Sequence, residues 1–437
     1  MTTYQIIREK IEQFPFVDAH SHVLHHNIEP AVTDGPYEVH PTARLLLDFN
    51  TRLSFITCGL PEKAVGDILA GRVEPAEQKR LLLSFPGVRS KTSYAYLMRG
   101  IRELYGLDAW YIDENNWDAI GEAVAKARED FYGLLTKAFE NGGVKNSILN
   151  LWVGKSRIYL KDYAARQTPG DLALDRKYFL FSSTFDYRAM LPFGPMITAY
   201  AEDFGMPLDT LADYEAVMEK AAYWFVKEKG CRALKVTEMY FRRLDYKVRT
   251  YEEAAACYLP ERTEEQSRIL SDYVACIVFR LAGELNVPVQ IHTGNIWGDF
   301  SVYDVDPSHL APIIQAFPNT KFDLLHGGDP FYGHTTLMAS AFPNVYLNMS
   351  SMPDSSYELF EHWLAVYVDR VPTSKIMLGW DLFTPEIVSG SAHHTRDMVA
   401  RVLAKKVDAG LYNLEMALEI AKDLMYRTAE TLFGTAE

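Results

Sequence analysis

Eight short apolar runs recur along the chain with helical patterns between most of them, and this alternation restricts the fold more than any other feature. The runs are Phe16–His20, Ser147–Val153, Tyr178–Ser182, Cys231–Val236, Val287–His292, Lys321–His326, Asn344–Met349 and Lys375–Asp381. Helical stretches such as Leu211–Lys229 and Glu264–Leu285 separate them. Strands that alternate with helices build a parallel sheet, because parallel neighbours need a long crossover. Eight such units suggest a closed (β/α)8 barrel. A doubly wound open sheet shares the alternation. Against it, no glycine-rich phosphate turn follows the first run, and polar residues end several different runs, where barrel enzymes build their sites.

One stretch exceeds a minimal barrel. From Val23 to Gly143 about 120 residues separate the first two strands, far more than an ordinary strand-to-helix loop. Helical patterns fill it, for example Thr92–Tyr105 and Trp117–Glu140. Residues 23–143 are therefore expected to form a helical insertion over the barrel mouth, supplying substrate contacts and not metal ligands. Residues 1–437 are expected to be a single barrel unit of which the insertion is no independent domain. The chain shows no fixed-period repeat, low-complexity tract or charge block.

Composition narrows the partners. With 437 residues, 48% hydrophobic and 23% charged, the chain has ordinary globular content. A net charge of −14 argues against nucleic acid or an anionic membrane as partner, since both need a cationic face. No apolar run approaches the ~20 residues that span a bilayer. The opening Met1–Lys10 reads as an amphipathic helix without the apolar core of a signal peptide. Cys58, Cys231, Cys257 and Cys276 are scattered, so reduced thiols in a cytoplasmic protein are the simpler expectation.

The chemistry is carried by the strand ends. Residues two apart on a strand point the same way, so His20 and His22 converge on one face, as two imidazoles sharing a metal must. His292 ends the fifth run before Thr293-Gly294, and His326 ends the sixth before Gly327-Gly328-Asp329. Asp381 ends the eighth. Neutral imidazole and carboxylate suit zinc or a similar first-row ion. Singly, each histidine could be a hydrogen-bonded core residue and Asp381 a helix cap; four strand ends bearing ligand types together point to a metal site. His25, His26, His393 and His394 fall in loop or helix contexts and are read as non-ligating. His40, His309, His334 and His362 read as ordinary surface or helix-end residues.

From Val287 onward the motifs become specific: Val-Pro-Val-Gln-Ile-His-Thr-Gly (287–294), Leu-Leu-His-Gly-Gly-Asp-Pro-Phe (324–331), Phe-Pro-Asn-Val-Tyr-Leu-Asn (342–348) and Pro-Thr-Ser-Lys-Ile-Met-Leu-Gly-Trp-Asp (372–381). On these the chain resembles the amidohydrolase superfamily, in particular its amidohydrolase 2 branch of metal-dependent hydrolases and decarboxylases. It also resembles the nodulin-like members that are fused to a glutamine-synthetase-like domain. The resemblance implies a distorted (β/α)8 TIM barrel with one divalent metal at its C-terminal face, zinc by default and manganese as the alternative. His20, His22, His292 and Asp381 would be its ligands, Asp381 also accepting a proton. His326 would act on substrate or water. Lys235, ending the fourth strand, and His326 would become ligands only in a binuclear arrangement. Trp380 departs from the pattern, standing where a small residue is common.

Arg188 and Tyr187 follow the third strand, and Tyr240, Arg242 and Arg243 the fourth. Arginine forks suit carboxylates, which makes a small carboxylated substrate the expectation. Trp297, Trp380 and Phe383 are candidates for an apolar wall. The resemblance implies hydrolysis of an amide, lactone or related carbonyl bond by metal-activated water. The same residues would serve a non-oxidative decarboxylase or hydratase, and sugar-acid isomerisation is a more distant option. A metal-binding scaffold without catalysis fits the full ligand set poorly. A homo-oligomer is left open.

Overall fold

All eight strands form where the apolar runs place them. They are β1 (Phe16–Ser21), β2 (Val144–Leu151), β3 (Phe179–Thr184), β4 (Ala233–Val236), β5 (Val289–His292), β6 (Phe322–Leu325), β7 (Val345–Asn348) and β8 (Ile376–Met377). The computed structural model describes residues 1–24, 33–152, 154, 169–295 and 301–434. The strands pair in parallel in chain order. Closure is made by the segment after β8. The Ala19 N–H donates to the Leu378 carbonyl at 3.1 Å, Asp381 to His20 at 2.9 Å and His22 to Leu382 at 2.7 Å. The fold is a (β/α)8 barrel.

β8 is shorter than the sequence run suggests, for a local reason. The Asp18 carboxylate accepts the Trp380 N–H at 3.0 Å, a side chain taking a place the strand ladder would otherwise fill. Asp381 then turns to φ +57°, outside the extended region. A second difference lies in the insertion. Trp117–Glu140, expected as one helix, is two, Trp117–Arg128 and Phe131–Gly142. Asp130 stands between them in non-helical conformation and caps the second helix by accepting from Gly133 N–H at 2.9 Å. Thr92–Tyr105 forms with the expected limits, whereas Leu211–Lys229 is α-helical to Tyr223 and ends in a π-turn, Trp224–Glu228. Glu264–Leu285 starts at the Thr263–Gln266 capping box and stops at left-handed Asn286.

The insertion is bound to the barrel by close helix packing. A Cβ on Gly100, in Thr92–Tyr105, would lie 1.6 Å from the Glu386 carbonyl oxygen. One on Gly390, in Pro385–Asp408, would meet Tyr96 at 2.4 Å. Only residues without a side chain allow this approach.

Inside the barrel a polar layer supports the C-terminal face. Gln290 donates to the Ala19 carbonyl at 3.1 Å and to Asp323 at 3.0 Å, and Asn348 donates to Asp323 at 3.2 Å. All four cysteines are free thiols. Among the described residues no helix is long and apolar enough to cross a membrane.

Candidate metal centre

His20 lies on β1 and His22 just beyond it, and strand alternation brings their rings edge to face at 4.8 Å. Asp381 Oδ1 is 3.4 Å from the Nε2 atoms of both. The three are buried, and one ligand atom from each falls within 4.8 Å of the others. Asp381 holds a left-handed backbone that an aspartate tolerates only under restraint. The restraint comes from two sides. Its N–H is bonded to His20, and its carbonyl accepts the Asn50 amide at 3.2 Å.

Of the four expected ligands the structure gathers these three. His292 ends β5 with its Nε2 toward the Tyr240 hydroxyl at 3.3 Å and its ring 4.2 Å from that of His326. It borders the triad in the same cavity. His326 follows β6 at φ +66°, with Nδ1 on the Ser350 carbonyl at 3.2 Å. The Ser350 hydroxyl lies at the same 3.2 Å from Nδ1, so Ser350 holds the ring from both its carbonyl and its side chain. Nε2 is buried with no partner among the described residues, as is His20 Nδ1.

The electrostatics favour the metal-binding protonation states. Burial, then Lys235, holds His20 well below the ordinary histidine value, and burial, then His326, does the same to His292. His326 is pushed down to about 3 by burial. Neutral imidazole is the ligating form. Burial raises Asp381 to about 6, opposed by Lys235. Lys235, ending β4, places its ammonium 2.7 Å from His20 Nε2, and burial lowers it to about 8 against the pull of Asp381, Asp323 and Asp186. A cation thus already sits against the imidazole. Two neutral imidazoles and a carboxylate, buried and converging, fit a divalent first-row ion.

A cavity of about 870 Å³ opens over this centre, lined by His22, His292, Asp381, Lys235, Tyr240 and Arg188 among others. Arg188 stacks on Phe241, 3.9 Å from the ring centre, and faces Trp152 at 5.3 Å. Phe383 lies in the wall, stacked on His22 at 4.7 Å.

Two expected substrate residues lie elsewhere. Trp380 is fully buried, stacked on Phe16 at 4.2 Å with its indole N–H on Thr395 at 3.0 Å; it is core, because its side chain points outward from the barrel. Arg242 is turned from the cavity by Asp272 at 2.8 Å and Ser271 at 2.9 Å. Arg243 is on the surface against His309 at 3.1 Å. Trp297, His25 and His26 fall outside the described residues. His393 and His394 stack edge to face within Pro385–Asp408, away from the triad.

Other site residues carry no legible sequence signal. Asn50 comes from the insertion. Asp18 ties Ser147, at 2.9 Å, to the backbone after β8. Asp186 accepts from the Thr237 N–H at 2.5 Å and hydroxyl at 2.9 Å, while Glu238 accepts from the Tyr187 N–H at 2.7 Å. This cross-tie fixes the β3 and β4 loops that present Arg188, Lys235 and Tyr240. Burial, then Asp186, pushes the Glu238 carboxyl up to about 8.

Comparison with known proteins agrees with this architecture. Uronate isomerase from Thermotoga maritima superposes with a TM-score of 0.78 at 17% identity, over 99% of this chain and 97% of that one. Glucuronate isomerase from Caulobacter crescentus gives 0.73 at 14% over 99% and 93%. A protein from Lactobacillus casei taken to be a metal-dependent hydrolase gives 0.65 at 18% over 98% and 97%. At these identities the likeness is one of fold. Protein fluG of Emericella nidulans is 29% identical over 154 residues, 35% of this chain but 18% of that protein, so the match spans less than a fifth of the relative. Residues 236–435, which carry Lys235's neighbours, His292, His326 and Asp381, match the family model described as amidohydrolase. Its (β/α)8 barrel, with the β1 and β8 side chains meeting at the C-terminal mouth, is in keeping with that match, and over residues 236–435 the chain is similar to the amidohydrolase family.

Proposed function

We propose that this protein is a metal-dependent hydrolase of a C–N amide or related carbonyl or lactone bond in a small carboxylated molecule. The observation that carries the proposal is the buried His20–His22–Asp381 donor set beneath an 870 Å³ cavity whose wall bears Arg188. These three would hold one divalent ion, zinc first and manganese second, with His292 completing the set. When bound, such an ion acts as a Lewis acid toward water and a carbonyl oxygen. Asp381, whose Oδ1 lies 3.4 Å from both imidazole Nε2 atoms, would take up the proton of the attacking water. His326, with its buried Nε2 unpartnered among the described residues, would orient that water or stabilise the oxyanion. The Tyr240 hydroxyl beside His292 is another donor available for the developing negative charge. Arg188, in the cavity wall, would hydrogen-bond an oxygen of the substrate.

The same donors would serve decarboxylation or hydration. Sugar-acid isomerisation is the second reading, favoured by the near full-length likeness to uronate isomerases. Insertion residues 23–143 belong, in this proposal, to the active unit formed by residues 1–437. The free thiols are in keeping with a reducing compartment such as the cytoplasm.

The test is metal analysis of the purified protein and of His20→Ala, with turnover assays on N-acyl amino acids, lactones and hexuronates. One equivalent of metal in the wild type, lost in the variant, with release of product from amides or lactones, is expected. Two equivalents would make Lys235 and His326 ligands instead. Turnover of hexuronates alone would replace hydrolysis by isomerisation.

A further inference from the structure

Besides Arg188, the cavity is lined by arginines that the insertion supplies. Arg44 in Pro41–Leu46 and Arg52 in Phe49–Thr57 both line it. Neither forms an ion pair among the described residues; the Asp48 carboxyl lines the same cavity within electrostatic reach of Arg52 and is raised to about 7 by burial. An aromatic rail leads to them from the metal centre. The His22 ring stacks on Phe383 at 4.7 Å with an interplanar angle of 18°. Phe383 stacks on Phe49 at 4.2 Å and 28°. The Arg52 guanidinium then lies 5.3 Å from the Phe49 ring centre. Val39, Leu45, Leu47, Leu69 and Val124 add an apolar wall around this path.

We infer that the cavity takes an amphipathic anion, whose flat apolar body lies along the Phe383–Phe49 rail and whose carboxylate is held by Arg52 and Arg44, remote from the reacting group. The inference rests on the proposed metal site only in placing the reacting group at the His22 end. An aryl- or alkyl-carboxylate satisfies both components of this surface: stacking and burial along the rail, and charge-assisted bonds at its end. A polyhydroxylated sugar acid does not, since its hydroxyls would face aliphatic side chains and lose their water without replacement.

The test measures binding, so it is independent of turnover. Calorimetry on the full chain would use 3-phenylpropionate, its neutral amide and D-glucuronate, with both metal-loaded and metal-stripped protein. The stripped form removes the metal as a rival anchor for the carboxylate. 3-Phenylpropionate is expected to bind both forms, and the amide about tenfold or more weakly. Arg52→Met combined with Arg44→Met should weaken the acid to the level of the amide, and Phe49→Ala should weaken both. D-Glucuronate should bind least. Equal binding of acid and amide, an unaffected double arginine variant, or tighter binding of D-glucuronate would each overturn the inference. Intact 3-phenylpropionate binding without turnover of any amide or lactone would support it while counting against the hydrolase proposal alone.

Discussion

Asn50 clasps the backbone on both sides of Leu382: its amide donates to the Asp381 carbonyl at 3.2 Å, and its Oδ1 accepts the Phe383 N–H at 3.0 Å. A residue of the insertion thus holds the left-handed turn that aims the Asp381 carboxylate at His20 and His22. Asn50→Ala removes both bonds and lets the turn relax. Groups that orient ligands typically contribute ~10–100-fold to metal affinity. A loss of that size is expected in competition titrations with a metal chelator, with the protein still folded. An unchanged affinity would show that β1 alone suffices to set Asp381.

Asp381→Asn keeps the shape and an oxygen ligand but removes the base. It should fold and retain much of its metal while kcat falls ~10²–10⁴-fold, the usual contribution of a general base. The loss should appear in kcat more than in KM, because the proton moves in the transition state. Near wild-type turnover would shift the role to His326.

Acid stability should depend on Glu386. Burial alone would raise this carboxyl, but Arg128 at 2.8 Å, Thr384 and the Tyr105 hydroxyl at 2.7 Å more than offset it and hold it below its ordinary 4.5. A carboxyl depressed on folding adds stability that is fully present above its unfolded value and is lost as pH falls through the folded value. Thermal unfolding of the wild type should therefore steepen in its decline below about pH 4.5. Glu386→Gln should be destabilised at pH 7 by ~1–3 kcal/mol, less than for a fully buried pair because Arg128 keeps about a third of its side chain in water. Its Tm should then vary less with acid. Parallel profiles for the two proteins would contradict the assignment.

Gly100→Ala tests whether the insertion and barrel form one cooperative body. The added Cβ would press on the Glu386 carbonyl, an overpacking that costs about 1–3 kcal/mol. A single unfolding transition, moved to lower temperature, is expected by both calorimetry and circular dichroism. Two separated transitions in either protein would make residues 23–143 a domain in its own right.

The sequence by itself determined the barrel, since eight apolar runs with helices between them leave few closed parallel arrangements. It also brought His20, His22 and Asp381 to one end of the barrel, because strand period fixes where His20 and His22 point and Asp381 ends a recognisable motif. Tertiary structure decided what depends on residues distant in the chain. Trp380 sits beside Asp381 in sequence, yet its ring packs outward on Phe16, a consequence of alternation around a strand end that the motif does not specify. Arg242 is claimed by Asp272, a partner on a helix whose approach no local pattern encodes. Asn50, Arg44 and Arg52 look like unremarked helix residues until the insertion folds back over the barrel mouth. Local hydrogen bonding and side-chain period write strands and helices into short stretches of sequence. Which polar side chains face a shared cavity is set by packing between elements hundreds of residues apart, and that is written only in the assembled fold.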